Sequence, residues 1–392
     1  MPTQNITSRA VPGELDPSFA TGGKFEVPTP TKAAVSLIAD TDSLTVLMAA
    51  GQEFCLCRVN KDGKLDLDFD NRGWLKWRFE DGKTSTPWRA LLQPDKKILL
   101  IGASYSSIPY GQPALTRFNP NGSPDLVFGR KILPVYPQPQ ETMSRVEGCL
   151  QSDDKILVCG AYSSNSESKT LLIRLLPDGT MDPDFGKGGI AELSHPLGTL
   201  LPARVAVQSS GRILVAGSLG NQGYVLGVGA DGNLDTGFGD KGFALIEAQG
   251  PIPLRNLLVL KDGGLRCIGG SDSSGALLVG LDENGHPDKS FNDGKPVVTR
   301  EFLGSWSTLC EQDDRKLLVS GQSGPGLEQV AARFSPQGVL DKTFGWSGFM
   351  YHPGGSADSV IQPGGRWITT AYKAGATSAW LYGMFTDNPT PD

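Results

Sequence analysis

Three alternating carboxylates, Asp66, Asp68 and Asp70, form the densest group of potential metal ligands in the sequence. Carboxylate oxygens closely spaced in a loop are the ligands that calcium prefers. Apolar residues interleave with them, however, and no Glu follows at the bidentate position of a calcium loop. The segment is therefore interpreted either as a calcium site or as a copy of a recurring turn, and we expect no cofactor other than calcium.

A second group of candidate residues occupies one repeated position, shortly before a polar turn, and four of its seven members are charged. Aligning the copies places Val35, Arg89, Glu147, Arg204, Asn256, Thr308 and Asp358 at this position. Two residues further along, on the same face of a strand, every copy has an apolar residue or a Cys. The mixed position indicates either a polar ring around a pocket or strand ends that meet solvent. The candidate ligand-binding members of such a ring are Arg89, Glu147, Arg204 and Asp358.

Aromatic residues concentrate between positions 74 and 110. Exposed aromatic side chains beside arginine are typical of interaction hot spots and of cation–π contacts. The same side chains could instead pack between elements of the core. The candidates, with their neighbouring arginines, are Trp77, Arg78, Trp88, Arg89, Tyr105, Tyr110 and, in an expected later loop, Trp306.

The common catalytic signatures are missing from the sequence. It contains no Gly-x-Ser-x-Gly, no His-Glu-x-x-His and no phosphate-binding glycine loop. His195 and His352 each precede or approach a Pro and are expected to anchor loops. Carboxylates near a channel could still perform acid–base chemistry, so an enzyme stays open as the less favoured interpretation.

Composition excludes several classes of partner. The net charge of −6 and the lack of basic runs disfavour nucleic-acid binding. No apolar segment approaches the ~18 residues of a membrane span, so we expect no membrane insertion. The first residues do not resemble a signal peptide, which predicts a cytoplasmic protein, with signal-independent export as the alternative. The six cysteines lie in apolar segments and are expected to be buried free thiols.

The elements that position these residues are set by a recurring motif, clearest at residues 178–189, Asp-Gly-Thr-Met-Asp-Pro-Asp-Phe-Gly-Lys-Gly-Gly. A repeat of this length is typical of a propeller, solenoid or array. We expect the motif Asp to cap its turn and the motif Phe to fill space between neighbouring units. The motif Asp recurs as Asp16, Asp66, Asp125, Asp182, Asp235, Asp288 and Asp341.

Each repeat contains four apolar segments that read as strands, named a to d in the order in which they follow the motif. Seven such repeats predict an all-β protein, a seven-bladed β-propeller with four-stranded antiparallel blades. A single domain over residues 1–392 is expected, with residues 1–12 as a flexible arm. The chain begins with a motif and ends with a strand d at residues 379–385, so joining the two ends would close the ring.

The pattern Asp-Gly-x-Leu-Asp-x-x-Phe-Gly, followed by Gln-Pro-Asp-Gly-Lys-Ile-Leu-Val-Ala-Gly, resembles the delta-60 repeat family of bacterial tandem-repeat proteins. The resemblance covers nearly the whole chain and departs most in the first unit, at residues 39–43. It implies a bacterial source and a propeller-like fold. It implies no particular activity and assigns no site residues.

Topology separates the two ends of the predicted propeller. The a–b and c–d connections share one end and differ most among repeats, and binding residues commonly lie on such loops. We therefore predict a non-enzymatic binding scaffold that presents these loops to a protein or glycan partner. The alternative is a hydrolase or lyase with its site at the channel mouth, with or without the assistance of a divalent metal ion.

Overall fold

The computed structural model describes residues 11–28, 31, 33–107, 110–135, 142–143, 145–163, 168–248, 250–324, 328–372 and 378–387. These residues form antiparallel strands and one short 3-10 helix, Asn292–Gly294. The strands group into seven sheets, which confirms the predicted seven-bladed β-propeller. The expected flexible arm falls mostly outside the described residues. Within them, no helix has the length and apolar character needed to cross a membrane.

Each blade takes strands b, c and d from one repeat and strand a from the motif that follows. In blade 3 the inner strand is divided into two segments, β10 (Thr142–Met143) and β11 (Glu147–Leu150), which both pair with β12 (Ile156–Ser163). Blade 1 contains β2 (Ala33–Ala39), β3 (Ser43–Ala50), β4 (Glu53–Asn60) and β5 (Trp74–Trp77); blade 2 contains β6 (Thr84–Leu92), β7 (Ile98–Ser107), β8 (Tyr110–Phe118) and β9 (Arg130–Ile132); blade 3 contains β10 (Thr142–Met143), β11 (Glu147–Leu150), β12 (Ile156–Ser163), β13 (Ser168–Leu175) and β14 (Ile190–Leu193). Blade 4 contains β15 (Leu200–Val207), β16 (Ile213–Leu219), β17 (Gln222–Val228) and β18 (Phe243–Ile246); blade 5 contains β19 (Leu254–Val259), β20 (Leu265–Ser271), β21 (Gly275–Leu281) and β22 (Val297–Thr299); blade 6 contains β23 (Gly304–Glu311), β24 (Leu317–Ser323), β25 (Glu328–Phe334) and β26 (Phe349–Pro353); blade 7 contains β27 (Ser359–Ile361), β28 (Trp367–Ala371), β29 (Trp380–Met384) and β1 (Lys24–Glu26).

The core consists of seven apolar clusters, one between each pair of neighbouring blades. Each cluster contains one motif Phe, and these side chains are 0–2% exposed. This confirms that the motif Phe fills the space between blades. The strands b contact one another in succession around the ring, so they are the innermost strands and surround the channel.

The motif Asp does more than cap its turn. One carboxylate oxygen accepts a backbone N–H two residues later, as in the Asp182–Asp184 pair, and the other binds an arginine. In every blade that arginine also lies over the motif Phe, at 4.4–5.5 Å from the ring centroid. The seven pairs are Arg366–Asp16, Arg58–Asp66, Arg117–Asp125, Arg174–Asp182, Arg212–Asp235, Arg266–Asp288 and Arg333–Asp341.

The arginine comes from two different strands. Strand d supplies it in blades 1, 2, 3 and 6, whereas in blades 4, 5 and 7 it lies in strand c or directly before it. Where strand c supplies it, strand d has a glycine at the vacated position. At Gly227, for example, an added Cβ would lie 2.7 Å from Phe238 Cβ. In these three blades the motif Phe occupies the space that a Cβ on strand d would fill. The three glycines are Gly227, Gly280 and Gly383.

The N-terminal segment closes the ring, as predicted. β1 pairs with β29 in antiparallel register, from Lys24 opposite Tyr382 to Glu26 opposite Trp380. The Gly13 N–H also donates to the Phe385 carbonyl at 2.8 Å. The seventh blade thus contains strands from both ends of the chain, which leaves β29 no free edge.

His352, on β26, lies beside this closure and gives the stability of the protein a predicted pH dependence. Its ring is 5.0 Å from the Tyr382 ring, and burial, assisted by the charge of Lys24, lowers its pKa to about 4. The unfolded chain takes up a proton near pH 6.5 that the folded protein accepts only near pH 4. The corresponding stability is present above pH 6.5 and is lost as pH falls through 4, by about 3 kcal/mol.

Urea unfolding at pH 7.5 and pH 4.5 measures this effect. His352→Gln is expected to show a smaller difference between the two pH values than the wild type. Equal differences in both proteins would contradict the assignment to His352.

Candidate binding site in the central channel

The inner strands share an interruption that shapes the channel. In blades 1, 2, 4, 5 and 6, the pairing of strand b with strand c shifts by one residue, as at Pro87/Arg89 in blade 2. Such a β-bulge re-aims the side chain that follows it. Opposite the bulge lies the recurring glycine of strand c: an added Cβ on Gly217 or Gly321 would lie 2.0 Å from a carbonyl oxygen of strand b. This glycine permits the close backbone approach that the bulge requires.

The residue after each interruption lies at the position where the sequence indicated either a polar ring or strand ends that meet solvent. Asn256 and Thr308 follow bulges, as do the two arginines, Glu147 begins β11, and Asp358 directly precedes β27. In blade 1 the prediction of Val35 is wrong by one residue. The b–c turn there is shorter, since Asp40 N–H bonds Ser43 O whereas Gln93 N–H bonds Lys97 O, and Ser36 is the ring member. The channel ring is Ser36, Arg89, Glu147, Arg204, Asn256, Thr308 and Asp358.

The contacts of Asp358 show that these side chains converge on the axis. Asp358 of blade 7 accepts hydrogen bonds from Ser36 Oγ at 3.2 Å and from the Leu37 N–H at 2.9 Å in blade 1. Its Oδ2 also lies 3.3 Å from Arg89 Nη1, although blade 1 stands between blades 7 and 2. Only the interior of the ring allows that contact.

Part of the channel ring serves the scaffold. Ser36 Oγ accepts the Ala90 N–H at 3.2 Å, and Asn256 Nδ2 donates to the Ser307 carbonyl at 3.2 Å. Thr308 Oγ1 shares hydrogen bonds with the hydroxyls of Ser320 and Ser359 at 2.7 and 2.8 Å. These groups satisfy backbone and hydroxyl groups along the inner edges of the blades, which would otherwise be unpaired in the channel.

Blades 2 to 4 differ, because their charged groups are incompletely paired. Glu147 is fully buried, and neither carboxylate oxygen makes a hydrogen bond of normal geometry to a described residue. Arg145 Nε lies 2.5 Å from Oε1, and Arg204 Nη1 lies 4.0 Å from Oε2. The Nε atoms of Arg89 and Arg204 are buried and also lack a partner among the described residues. Buried polar groups are normally satisfied, so this sector is the candidate site.

Electrostatics couples the four charged members of the ring. Burial lowers the pKa of Arg204 to about 10, and the positive charge of Arg89 acts in the same direction, while Glu147 and Asp358 oppose both. Below them, burial raises the pKa of the Cys149 thiol to about 12. The arrangement offers guanidinium donors and a carboxylate acceptor in one desolvated place, which suits a ligand with both kinds of group.

The aromatic candidates do not join this site. Trp77 packs edge-on to Phe118 at 6.0 Å, beneath the guanidinium of Arg130. Arg78 pairs with Glu53 at 3.3 Å, and Trp88, the bulge residue of blade 2, is half-buried against the cluster between blades 2 and 3. Tyr105 is buried. Tyr110 begins β8, but its side chain lies outside the described residues.

The structure places Trp306 differently from the prediction. It lies inside β23, not in an exposed a–b loop, and it is fully buried against Phe302 and Phe334. Because it precedes the bulge of blade 6, its side chain turns into the space between blades 5 and 6. It therefore has no exposed surface for a ligand.

The acidic segment behaves as a recurring turn. Asp66 binds Arg58 at 2.6 Å and accepts the Asp68 N–H, and Asp70 lies 3.3 Å from Arg72. The described residues contain no group of three or more His, Cys, Asp or Glu side chains that could hold a metal ion. This geometry gives the calcium interpretation no support.

Sequence reasoning missed two site residues, Ser36 and Arg145. The short turn of the first unit, visible in its departure at residues 39–43, was the available signal for Ser36. Arg145 gave no signal, because it lies outside the aligned position. The six cysteines form no disulfide with one another; Cys149 and Cys310 are half-buried and the others are buried.

Comparison with known proteins supports the fold. A beta-propeller domain of unknown function, DUF5122, matches residues 93–128 and 151–185. No curated protein matches the sequence. The structure is similar to selenomethionine-substituted virginiamycin B lyase from Staphylococcus aureus, with 9% identity, 92% of this chain and 98% of that chain covered, and a TM-score of 0.51. It is equally similar to Drosophila Semaphorin 1b extracellular domains 1–2, with 10% identity, coverage of 95% and 88%, and a TM-score of 0.51. At these identities the likeness concerns the propeller fold alone.

Proposed function

We propose that the chain is a binding scaffold that receives a protein or glycan partner at the propeller end carrying the a–b and c–d connections. The channel ring anchors a polar group of that partner. The buried Glu147, ion-paired to Arg145 but without a hydrogen bond of normal geometry to a described residue, carries this proposal, because buried polar atoms are costly unless their hydrogen bonds are satisfied. The ring residues lie in the middle of their strands b, as Arg89 does in β6 and Arg204 in β15, so a partner at that end would extend this polar group into the channel.

Exposed side chains around the same end favour a protein over a stacked sugar. Leu197, Leu201 and Leu303 lie on or beside the a–b connections and are 72%, 47% and 62% exposed. Aliphatic side chains add apolar contact area but no aromatic face for stacking. At the opposite end, Leu126 and Val127 are also exposed, but they occupy the recurring turn, where the inward-facing Asp125 and Phe128 fix them outward. We also propose that the repeats are of the delta-60 type; the family match at 93–128 and 151–185 supports a propeller repeat.

Binding to protein and glycan arrays tests the proposal. Arg204→Met and Leu303→Asp are each expected to weaken genuine binding about tenfold or more, since a hydrogen bond to a charged group contributes about 1.5–3 kcal/mol. Two variants at the opposite end, Arg315→Met and Leu126→Asp, serve as matched controls and are expected to bind as the wild type does. Binding lost only with Leu126→Asp, or no binding on either array, would contradict the proposal.

A hydrolase or lyase is the second candidate function. It is favoured by one observation: Glu147 and Asp358 act on the same Arg204, so two carboxylates share one desolvated site. Turnover of a polysaccharide or lactone panel that disappears in Glu147→Gln would support it. Unchanged turnover in that variant would contradict it.

A further inference from the structure

Two arginines of the channel ring have buried nitrogens without an acceptor. Neither Arg89 Nε nor Arg204 Nε has a hydrogen-bond partner among the described residues. A carboxylate between these two arginines would supply two acceptor oxygens and a negative charge.

Glu147 adds a second requirement. Its two oxygens are buried and make no hydrogen bond of normal geometry to a described residue, although Arg145 and Arg204 lie close by. A ligand carboxylate bound beside it would be repelled unless the ligand also offered a donor. Arg204 Nη1 lies 4.0 Å from Glu147 Oε2, so a carboxylate bound by Arg204 lies close to Glu147, and a donor one or two bonds from that carboxylate can reach it.

We infer that the channel ring binds a small carboxylate whose α-carbon carries a hydrogen-bond donor, as in α-amino and α-hydroxy acids. The carboxylate lies between Arg89 and Arg204, and the α-ammonium or α-hydroxyl donates to Glu147. This inference rests on the proposed function, in which the channel ring is the ligand-contacting site. A protein partner presents the same chemistry at its C-terminus, where the α-carbon carries a backbone N–H.

Isothermal titration calorimetry with minimal probes tests this inference. Glycine, glycolate and N-acetylglycine each have the carboxylate and an α donor, and at least one is expected to bind measurably. Acetate lacks the donor and is expected to bind about tenfold to a hundredfold more weakly. Methylamine and glucose are expected not to bind. Binding of N-acetylglycine but not glycine would identify a peptide end as the source, and the reverse would identify a free acid.

Variants assign the roles. Arg204→Met is expected to abolish binding of every probe, and Arg315→Met, at the other end of the propeller, is expected to leave binding unchanged. Glu147→Gln is nearly isosteric and keeps the test valid if Arg204→Met does not fold. It is expected to reduce the preference for glycine over acetate at least tenfold.

Three results would overturn the inference: glucose binding that depends on Arg204, acetate binding as tightly as glycine and glycolate, or no binding of any carboxylate. If array partners still depend on Arg204 in those cases, the proposed function stands and only the ligand class is wrong. If neither arrays nor probes show binding that depends on Arg204, both fail.

Discussion

Arg174→Gly is expected to lower the free energy of unfolding by about 3–5 kcal/mol, the usual cost of removing one partner of a buried ion pair. Arg174 and Asp182 are 2.7 Å apart, with side chains 6% and 2% exposed. Burial alone would raise the pKa of Asp182, but hydrogen bonds from the Asp184 N–H and from Arg174 hold it below its usual range. Without Arg174, the carboxylate keeps the longer ion pair with Lys155, at 3.3 Å, and the link from Arg174 to the Ala230 carbonyl of blade 4 is lost as well.

Lys155→Arg in the same chain is expected to restore most of that stability. Lys155 occupies the strand c position from which Arg212 binds Asp235 at 2.6 Å in blade 4, opposite a glycine in strand d. The double variant therefore copies the blade 4 arrangement into blade 3. Urea unfolding of the two single variants and the double variant measures the coupling. Lys155→Arg alone should change stability by less than about 1 kcal/mol. A double variant no more stable than Arg174→Gly would refute the exchange.

Deletion of residues 1–27 is expected to leave no stable monomer. It removes β1, the fully buried Phe19, and Asp16, which binds Arg366 at 2.5 Å. Loss of a buried Phe and of one partner of an ion pair each costs about 3–5 kcal/mol, and their sum is comparable to the whole stability of an ordinary domain. The exposed edge of β29 would also offer a template for pairing with other chains.

Size-exclusion chromatography and thermal melting measure this outcome. The matched control moves residues 11–27 to the C-terminus through a flexible linker, which the short distance between Gly13 and Phe385 allows. We expect the control to be monomeric and to melt cooperatively. A deleted chain that stays monomeric with an unchanged melting temperature would show that the closure is dispensable.

The scaffold was largely predictable because its turn chemistry repeats. An Asp that caps a turn and a Phe that fills an interblade space have fixed local requirements, so seven copies specify the ring and its closure. The arginine partner was harder to find, because two strands can reach the same point above the Phe ring. The sequence nevertheless contained a signal, because the same position of strand d carries an arginine in some blades, as at Arg174, and a glycine in the others, as at Gly227.

The site was predictable only in outline. Aligning the repeats placed Arg89, Glu147, Arg204 and Asp358 at one position, and the structure brings all four to the channel, yet the alignment selected Val35 instead of Ser36. A turn that is one residue shorter changes which face of the strand a side chain occupies. Trp306 is not in the expected loop, because its strand begins at Gly304 and a bulge turns the side chain into the core. The incomplete pairing of Glu147 arises from side chains of three blades and has no counterpart in any local pattern.

The seam between β1 and β29 also determines how the ring responds to tension. The strands are antiparallel, with Lys24 opposite Tyr382 and Glu26 opposite Trp380, so both chain ends leave from the same end of the pair. Once residues 11–23 have detached, a force that pulls the termini apart acts first on the paired position Lys24–Tyr382. It then acts on each following pair in turn, so the two strands unzip. The hydrogen bonds fail one at a time instead of sharing the load, so the propeller should yield at low force where its two ends meet.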